Sequence, residues 1–170
     1  MGWSRNPLDG SKYDITLRAI YGIIEYLEKN NLSTLLHYGL IIFGGSTIWS
    51  GWKKYNQLNE LKKMLFLNYS GGYTFLDANI IEEAVSSSPN KFLALMISDG
   101  EINVDREKAK EACKNLIEKG NDFVFFEIKY RSEFGKYLKD AGALVINIDT
   151  PEDLIGLVLQ IAKEKYSQKR

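Results

Sequence analysis

The 170-residue sequence predicts an α/β domain. The expected form is three layers, doubly wound, with a mostly parallel sheet, one short antiparallel edge strand and helices on both faces. Three observations predict it. In the second half, apolar runs of strand length alternate with longer segments whose apolar residues recur every three or four positions. Leu40-Ile41-Ile42-Phe43 is uniformly apolar, as a strand covered on both faces requires. Gly44-Gly45, Ser98-Asp99-Gly100 and Gly120 punctuate the ends of these runs.

Each element follows from its residues. Leu17, Ile20, Tyr21, Ile24 and Leu27 share one helix face, with Asp14 as the expected cap. Residues 40–43 make a buried strand, and 47–55, mixing Ile48, Trp49, Trp52 and Tyr55 with polar residues, an exposed edge strand. Leu58, Leu61, Met64 and Leu65 mark a short amphipathic helix, and the glycine loop 68–73 leads to a helix over 76–85. A strand over 92–97, a helix over 105–119 stopped by Gly120, a strand over 123–128, a helix over 133–139 and a strand over 144–148 follow. Thr150-Pro151-Glu152-Asp153 starts a last helix that buries Leu154, Leu157, Val158, Ile161 and Ala162. No repeat, linker or low-complexity stretch divides residues 1–170, which read as one domain.

Composition narrows the function. Hydrophobic residues are 45% and charged residues 26%, ordinary for a globular chain able to bury a core without staples. Lys+Arg 22 balances Asp+Glu 22, which leaves no net positive charge for a phosphate backbone and argues against a nucleic-acid partner. The basic end, 163–170, reads as a solvated helix terminus. Cys113 stands alone on an apolar stripe with Ala109, Ala112, Leu116 and Ile117, so it reads as a core residue in a reducing compartment. With no signal-like leader and no bilayer-length apolar run, a cytoplasmic location away from membranes is expected. The Ile-, Lys- and Asn-rich composition has the flavour of an AT-rich, archaeal genome.

Ligands of open α/β sheets sit beyond the carboxyl ends of the strands. Asp99 is the most informative residue there, because an acid at the end of the run Leu95-Met96-Ile97-Ser98 is a poor choice for packing. A carboxylate in that position can hold a hard cation, receive hydrogen bonds from a neighbouring loop or cap the following turn, and the turn is the plainer reading. Gly71-Gly72-Tyr73-Thr74 lacks the Lys-Ser/Thr of a phosphate loop, and Thr74 with Asp77 three positions on has the spacing of a capping box. His37, the sole histidine, reads as structural, since no nucleophile elbow accompanies it.

These segments together resemble the von Willebrand factor A domain, from about Asp14 to the C-terminus. Tyr38-Gly39-Leu40-Ile41-Ile42-Phe43-Gly44 looks like the family's second strand, and 49–55 like its short antiparallel edge strand. Gly71-Gly72-Tyr73-Thr74-Phe75-Leu76-Asp77-Ala78 resembles the glycine-glycine-threonine loop with Tyr73 added. Leu95-Met96-Ile97-Ser98-Asp99-Gly100 resembles the fourth strand with its serine-aspartate-glycine ending. The resemblance implies a metal-ion-dependent adhesion site in which Thr74 and Asp99 contribute ligands to Mg²⁺, with Ser4 as the last serine of a variant Asp-x-Ser-x-Ser motif. The aspartate of that motif would lie just before Met1, and Asp9-Gly10-Ser11 with Tyr13 is the weaker alternative.

The function implied is protein–protein interaction without catalysis, bridged by metal. The alternative is a Rossmann-like small-molecule or nucleotide-binding or hydrolytic domain using Asp99. One departure matters: no apolar strand precedes the first helix, although the family's first strand lies centrally between its second and fourth. Direct pairing of 40–43 with 92–97 is therefore expected, with an empty slot the least favoured outcome. A strand from a partner, or one exchanged in a homo-oligomer, is the other route.

Overall fold

A computed structural model describes residues 12–30, 34, 36–67, 73–128, 131–148, 153, 156–157, 160–161 and 164. Helix α1 (Lys12–Lys29) buries Leu17, Ile24 and Leu27 of the expected stripe, leaves Ile20 and Tyr21 half-buried, and also buries Ala19. It begins at Lys12, so Asp14 lies inside the first turn and is not the cap. Strands β1 (Ile41–Phe43) and β2 (Thr47–Trp49) form an antiparallel hairpin, prolonged where Tyr38 and Lys53 exchange N–H···O bonds of 2.8 and 2.7 Å. Helices α2 (Leu58–Leu67) and α3 (Ala78–Ser86) follow, then β3 (Leu93–Ser98), α4 (Arg106–Glu118), β4 (Asp122–Ile128), α5 (Glu133–Asp140) and β5 (Leu144–Ile148). Positions 153, 156, 157, 160, 161 and 164 are helical. Among the described residues no helix is long and apolar enough to cross a membrane.

Strands β3, β4 and β5 make a parallel sheet with β4 in the middle. Successive side chains of a strand point to opposite faces. Phe123 and Phe125 accordingly join Ala112, Cys113 and Leu116 of α4 and Phe134 and Leu138 of α5. Val124 and Phe126 join Ala19 of α1 and Ile161 on the other side. Apolar on both faces, β4 needs cover on both, which is why its run reads as continuous rather than alternating.

The single sheet expected from the sequence is not what forms: β1 and β2 stand as a separate two-stranded sheet, and β1 does not pair with β3. Two features hold the runs apart. At the carboxyl end Phe75 is interposed, its N–H donating to Gly44 C=O at 2.7 Å while it bridges in parallel to Val104. Above and below, β1 keeps its own cover, Leu40 and Tyr38 against Ile24, Leu58 and Leu61, and Ile41 and Phe43 against the α3–α4 core. The direct pairing expected from the sequence is thus not found, and among the described residues no strand joins β1 to β3.

Candidate functional site

The carboxyl ends of β3 and β4 lie side by side, with Ser98 and Glu127 as neighbours in the register. Asp99 follows, only 4% exposed. The chain then turns through Gly100, whose φ of +75° is a left-handed conformation that favours glycine. Gly100 N–H donates to Ser98 Oγ at 3.2 Å and Glu101 N–H to Asp99 Oδ1 at 3.2 Å. Asp99 therefore does serve its own turn, the plainer reading of the residue. Its Oδ2 accepts no hydrogen bond among the described residues.

Beneath this turn lies a buried acid. Glu127, 2% exposed, accepts through Oε1 from Ser132 N–H at 2.6 Å and from the Ser132 hydroxyl. Ser132 is the N-cap of α5, and its Oγ accepts from Gly135 N–H at 2.9 Å. Carboxylate, hydroxyl and helix N-terminus thus satisfy one another. Glycine makes the approach: a Cβ on Gly100 would lie 2.1 Å from Ser132 Oγ, and one on Gly135 2.6 Å from Glu127 Oε1. Sequence reasoning passed over Glu127 as part of a strand. Its signal was an acid inside Phe123-Val124-Phe125-Phe126-Glu127-Ile128, where an uncompensated charge is expensive.

Thr74 lies on the segment that bridges β1 to the loop after β3. Its N–H donates to Asn103 Oδ1 at 3.0 Å, and its C=O accepts from Asn103 and Val104 at 2.9 and 3.3 Å. It does not cap α3. Asp77 is the N-cap, its Oδ1 accepting from Asn79 N–H at 2.9 Å, so the spacing that suggested a Thr74 box is coincidental. Thr47 Oγ1 fastens the segment, donating to Phe75 C=O at 2.7 Å and accepting from Asp77 N–H at 2.9 Å.

Of the residues expected to hold a cation, Asp99 and Thr74 are joined through 103–104 to the same edge loop, with no hydrogen bond between them. Ser4, like Asp9 and Ser11, lies outside the described residues. The Thr74 hydroxyl and Asp99 Oδ2 are hard oxygen donors with unused lone pairs, the type Mg²⁺ prefers. Two donors do not complete a shell, and among the described residues no group of three or more His, Cys, Asp or Glu is placed to hold an ion. Further ligands must come from elsewhere. His37 is exposed rather than packed in the core. Cys113 is buried on its stripe, and burial pushes its thiol up to about 12.

No family model and no curated protein matches the chain. Among solved structures it is similar to the pilus adhesin SpaC from Lactobacillus rhamnosus GG, with a TM-score of 0.70 at 11% identity. That match covers 90% of this chain and 28% of the adhesin, so the chain spans little more than a quarter of that protein. An uncharacterized membrane spanning protein from Vibrio fischeri aligns over 92% of this chain and 86% of its own at 13% identity, but its TM-score of 0.33 carries no argument. The likeness to the adhesin is one of fold: mixed helix and strand, built here on a three-stranded parallel and a two-stranded antiparallel sheet.

Proposed function

We propose that the chain is a protein-binding module of von Willebrand factor A type, three-layered and doubly wound, which meets its partner at the carboxyl edge of the sheet through a bridging divalent cation. Asp99 and Thr74 supply two ligands of Mg²⁺, Ser4 is the third candidate, and a carboxylate of the partner completes the shell. The observation that carries this reading is Asp99 itself: one oxygen is fixed by Glu101 N–H while the other is unengaged, on the loop to which the Thr74 backbone, its hydroxyl also unengaged, is hydrogen-bonded through Asn103 and Val104. A carboxylate so oriented loses little freedom on binding a cation. The fold likeness to a pilus adhesin points the same way. No catalytic role is assigned: Ser132, the hydroxyl nearest a buried acid, is committed to Glu127 and to Gly135 N–H.

The test is thermal unfolding of the whole chain with and without millimolar Mg²⁺ or Mn²⁺. Binding to the folded state alone raises Tm by mass action. The rise should vanish in Asp99→Ala and shrink in Thr74→Val. An unchanged Tm at millimolar metal sinks the metal-bridged form of the proposal. Stabilisation by ATP rather than by metal would favour the nucleotide-binding alternative.

A further inference from the structure

The turn that carries Asp99 is thinly held by its own bonds. Glu101 N–H to Asp99 Oδ1 and Gly100 N–H to Ser98 Oγ are both 3.2 Å, at the long end for such bonds. Gly100 C=O accepts from Ile102 N–H at 3.0 Å. The pivot is a glycine at φ +75°, the residue type that gives up most conformational freedom when it is fixed. Downstream, Asn103 and Val104 are tied to Thr74. The turn is therefore anchored at both ends, and its middle depends on what lies beneath it.

Beneath it lies Ser132. A Cβ on Gly100 would stand 2.1 Å from Ser132 Oγ, 2.7 Å from Ser132 Cβ and 3.3 Å from Glu127 Oε1, so the Gly100 backbone rests directly on that side chain. Ser132 in turn hangs on Glu127, whose Oε1 accepts from its N–H at 2.6 Å and from its hydroxyl. Glu127 sits in the central strand of the sheet, in register with Ser98 on one side and Asn147 on the other, and is the most firmly placed of the group. The contacts close a ring. Ser98 neighbours Glu127, Glu127 holds Ser132, Ser132 supports Gly100, and Gly100 N–H returns to Ser98 Oγ. A carboxylate is costly at the end of a strand otherwise buried and apolar, and a hydrophobic residue of similar volume would cover that end more cheaply. What an acceptor supplies there, and a hydrophobic residue does not, is a fixed place for Ser132.

We propose that Glu127 is the positioning residue of the candidate cation site: through Ser132 it supports Gly100 and so fixes the direction of the Asp99 carboxylate. The purpose of this device rests on the reading of Asp99 as a cation ligand, whereas its effect on the turn does not. Glu127 acts one residue removed, since its Oε1 is engaged by Ser132. Without that support the glycine turn samples several conformations, and Asp99 must be reordered each time an ion binds, which weakens binding. Partners that orient a ligand in this indirect way change metal affinity by about 10–100-fold.

The test uses the full chain and three variants, Glu127→Ala, Glu127→Gln and Ser132→Gly. Glutamine keeps an acceptor for Ser132 and removes the charge. Glycine removes the side chain under Gly100 and is well tolerated as an N-cap, so that variant folds even if Glu127→Ala does not. Two measurements are made: backbone ¹⁵N relaxation without metal, and calorimetric titration with Mn²⁺. Order parameters at Gly100 and Glu101 should fall from about 0.85 in the native chain to below about 0.6 in Glu127→Ala and Ser132→Gly, and stay high in Glu127→Gln. Those of Asn79 to Ser86 in α3 should not move. The Kd for Mn²⁺ should rise about tenfold or more in the first two variants and stay near native in the third. A turn that stays rigid in Glu127→Ala and Ser132→Gly overturns the proposal. So does a glutamine variant as loose or as weak as the alanine one, which would make the effect one of charge, or loosening that extends equally to α3. If the native chain binds no Mn²⁺, the cation reading fails, and the order parameters alone decide for or against Glu127 as the residue that positions Asp99.

Discussion

Glu127 and Gly135 share one pocket so closely that a Cβ on Gly135 would lie 2.6 Å from Glu127 Oε1 and 2.9 Å from its Oε2. Glu127 cannot swing aside cheaply, because it is 2% exposed and is held by the N–H and hydroxyl of Ser132. Gly135→Ala gains about 1 kcal/mol of helix propensity but meets an overpacking cost of about 1–3 kcal/mol. A net loss of up to about 2 kcal/mol by urea unfolding is expected. In a Glu127→Ala background the same substitution should be neutral or stabilising, and additivity of the two would refute the contact.

Asn121 ties α4 to β3. Its Nδ2 donates to Leu116 C=O at 2.9 Å and its Oδ1 accepts from Phe92 N–H at 3.1 Å, in a residue 7% exposed. Asn121→Ala leaves Phe92 N–H without its partner while Leu116 C=O keeps the longer bond from the backbone N–H of residue 121 at 3.4 Å, and a loss of about 1–2 kcal/mol is expected from chemical denaturation. A loss within experimental error would show that the latch is not formed.

Helix α3 offers a comparison between the cap read from spacing and the cap found. Asp77→Ala should cost about 1 kcal/mol, the usual value of an N-cap carboxylate. Thr74→Val, which keeps the backbone bonds to 103–104, should change stability by less than about 0.5 kcal/mol without metal. The reverse order would restore Thr74 as the cap.

Cys113 predicts a pH dependence. Its thiol pKa rises from 9.0 to about 12 in the folded chain because burial disfavours the thiolate. The unfolded chain therefore releases this proton first. The contribution is present in full below pH 9 and is lost as pH rises toward 12. Relative to Cys113→Ala, the stability of the native sequence should fall by about 2–3 kcal/mol between pH 8 and pH 11. Parallel curves for the two proteins would argue that the thiol is not buried. At pH 8 the native thiol should also resist a water-soluble thiol reagent until the chain unfolds.

Much of the fold was legible because it depends on local periodicity. The stripe Leu17, Ile20, Tyr21, Ile24 and Leu27 and the run Phe123 to Phe126 declare helix and strand without reference to anything distant. Asp99 was legible for a related reason: a carboxylate ending an apolar run must find a turn, a loop donor or a ligand. Glu127 was not, since its partners come from two other segments, Gly100 after β3 and Ser132 with Gly135 at the start of α5, and meet only when α5 docks under the β3 turn.

By itself the sequence determined the order of helices and strands, the two-faced burial of the parallel strands and the placing of Asp99 at a strand's carboxyl end. Only the tertiary structure decided how far apart the strands stand. Hydrophobic patterning specifies which face of a strand is covered but says nothing about which edge is filled, because edges are satisfied by backbone groups that every residue carries alike. Phe75, bonded to Gly44 after β1 and bridged to Val104 beyond β3, ties the two sheets' edges together, and no periodicity in the chain announces it.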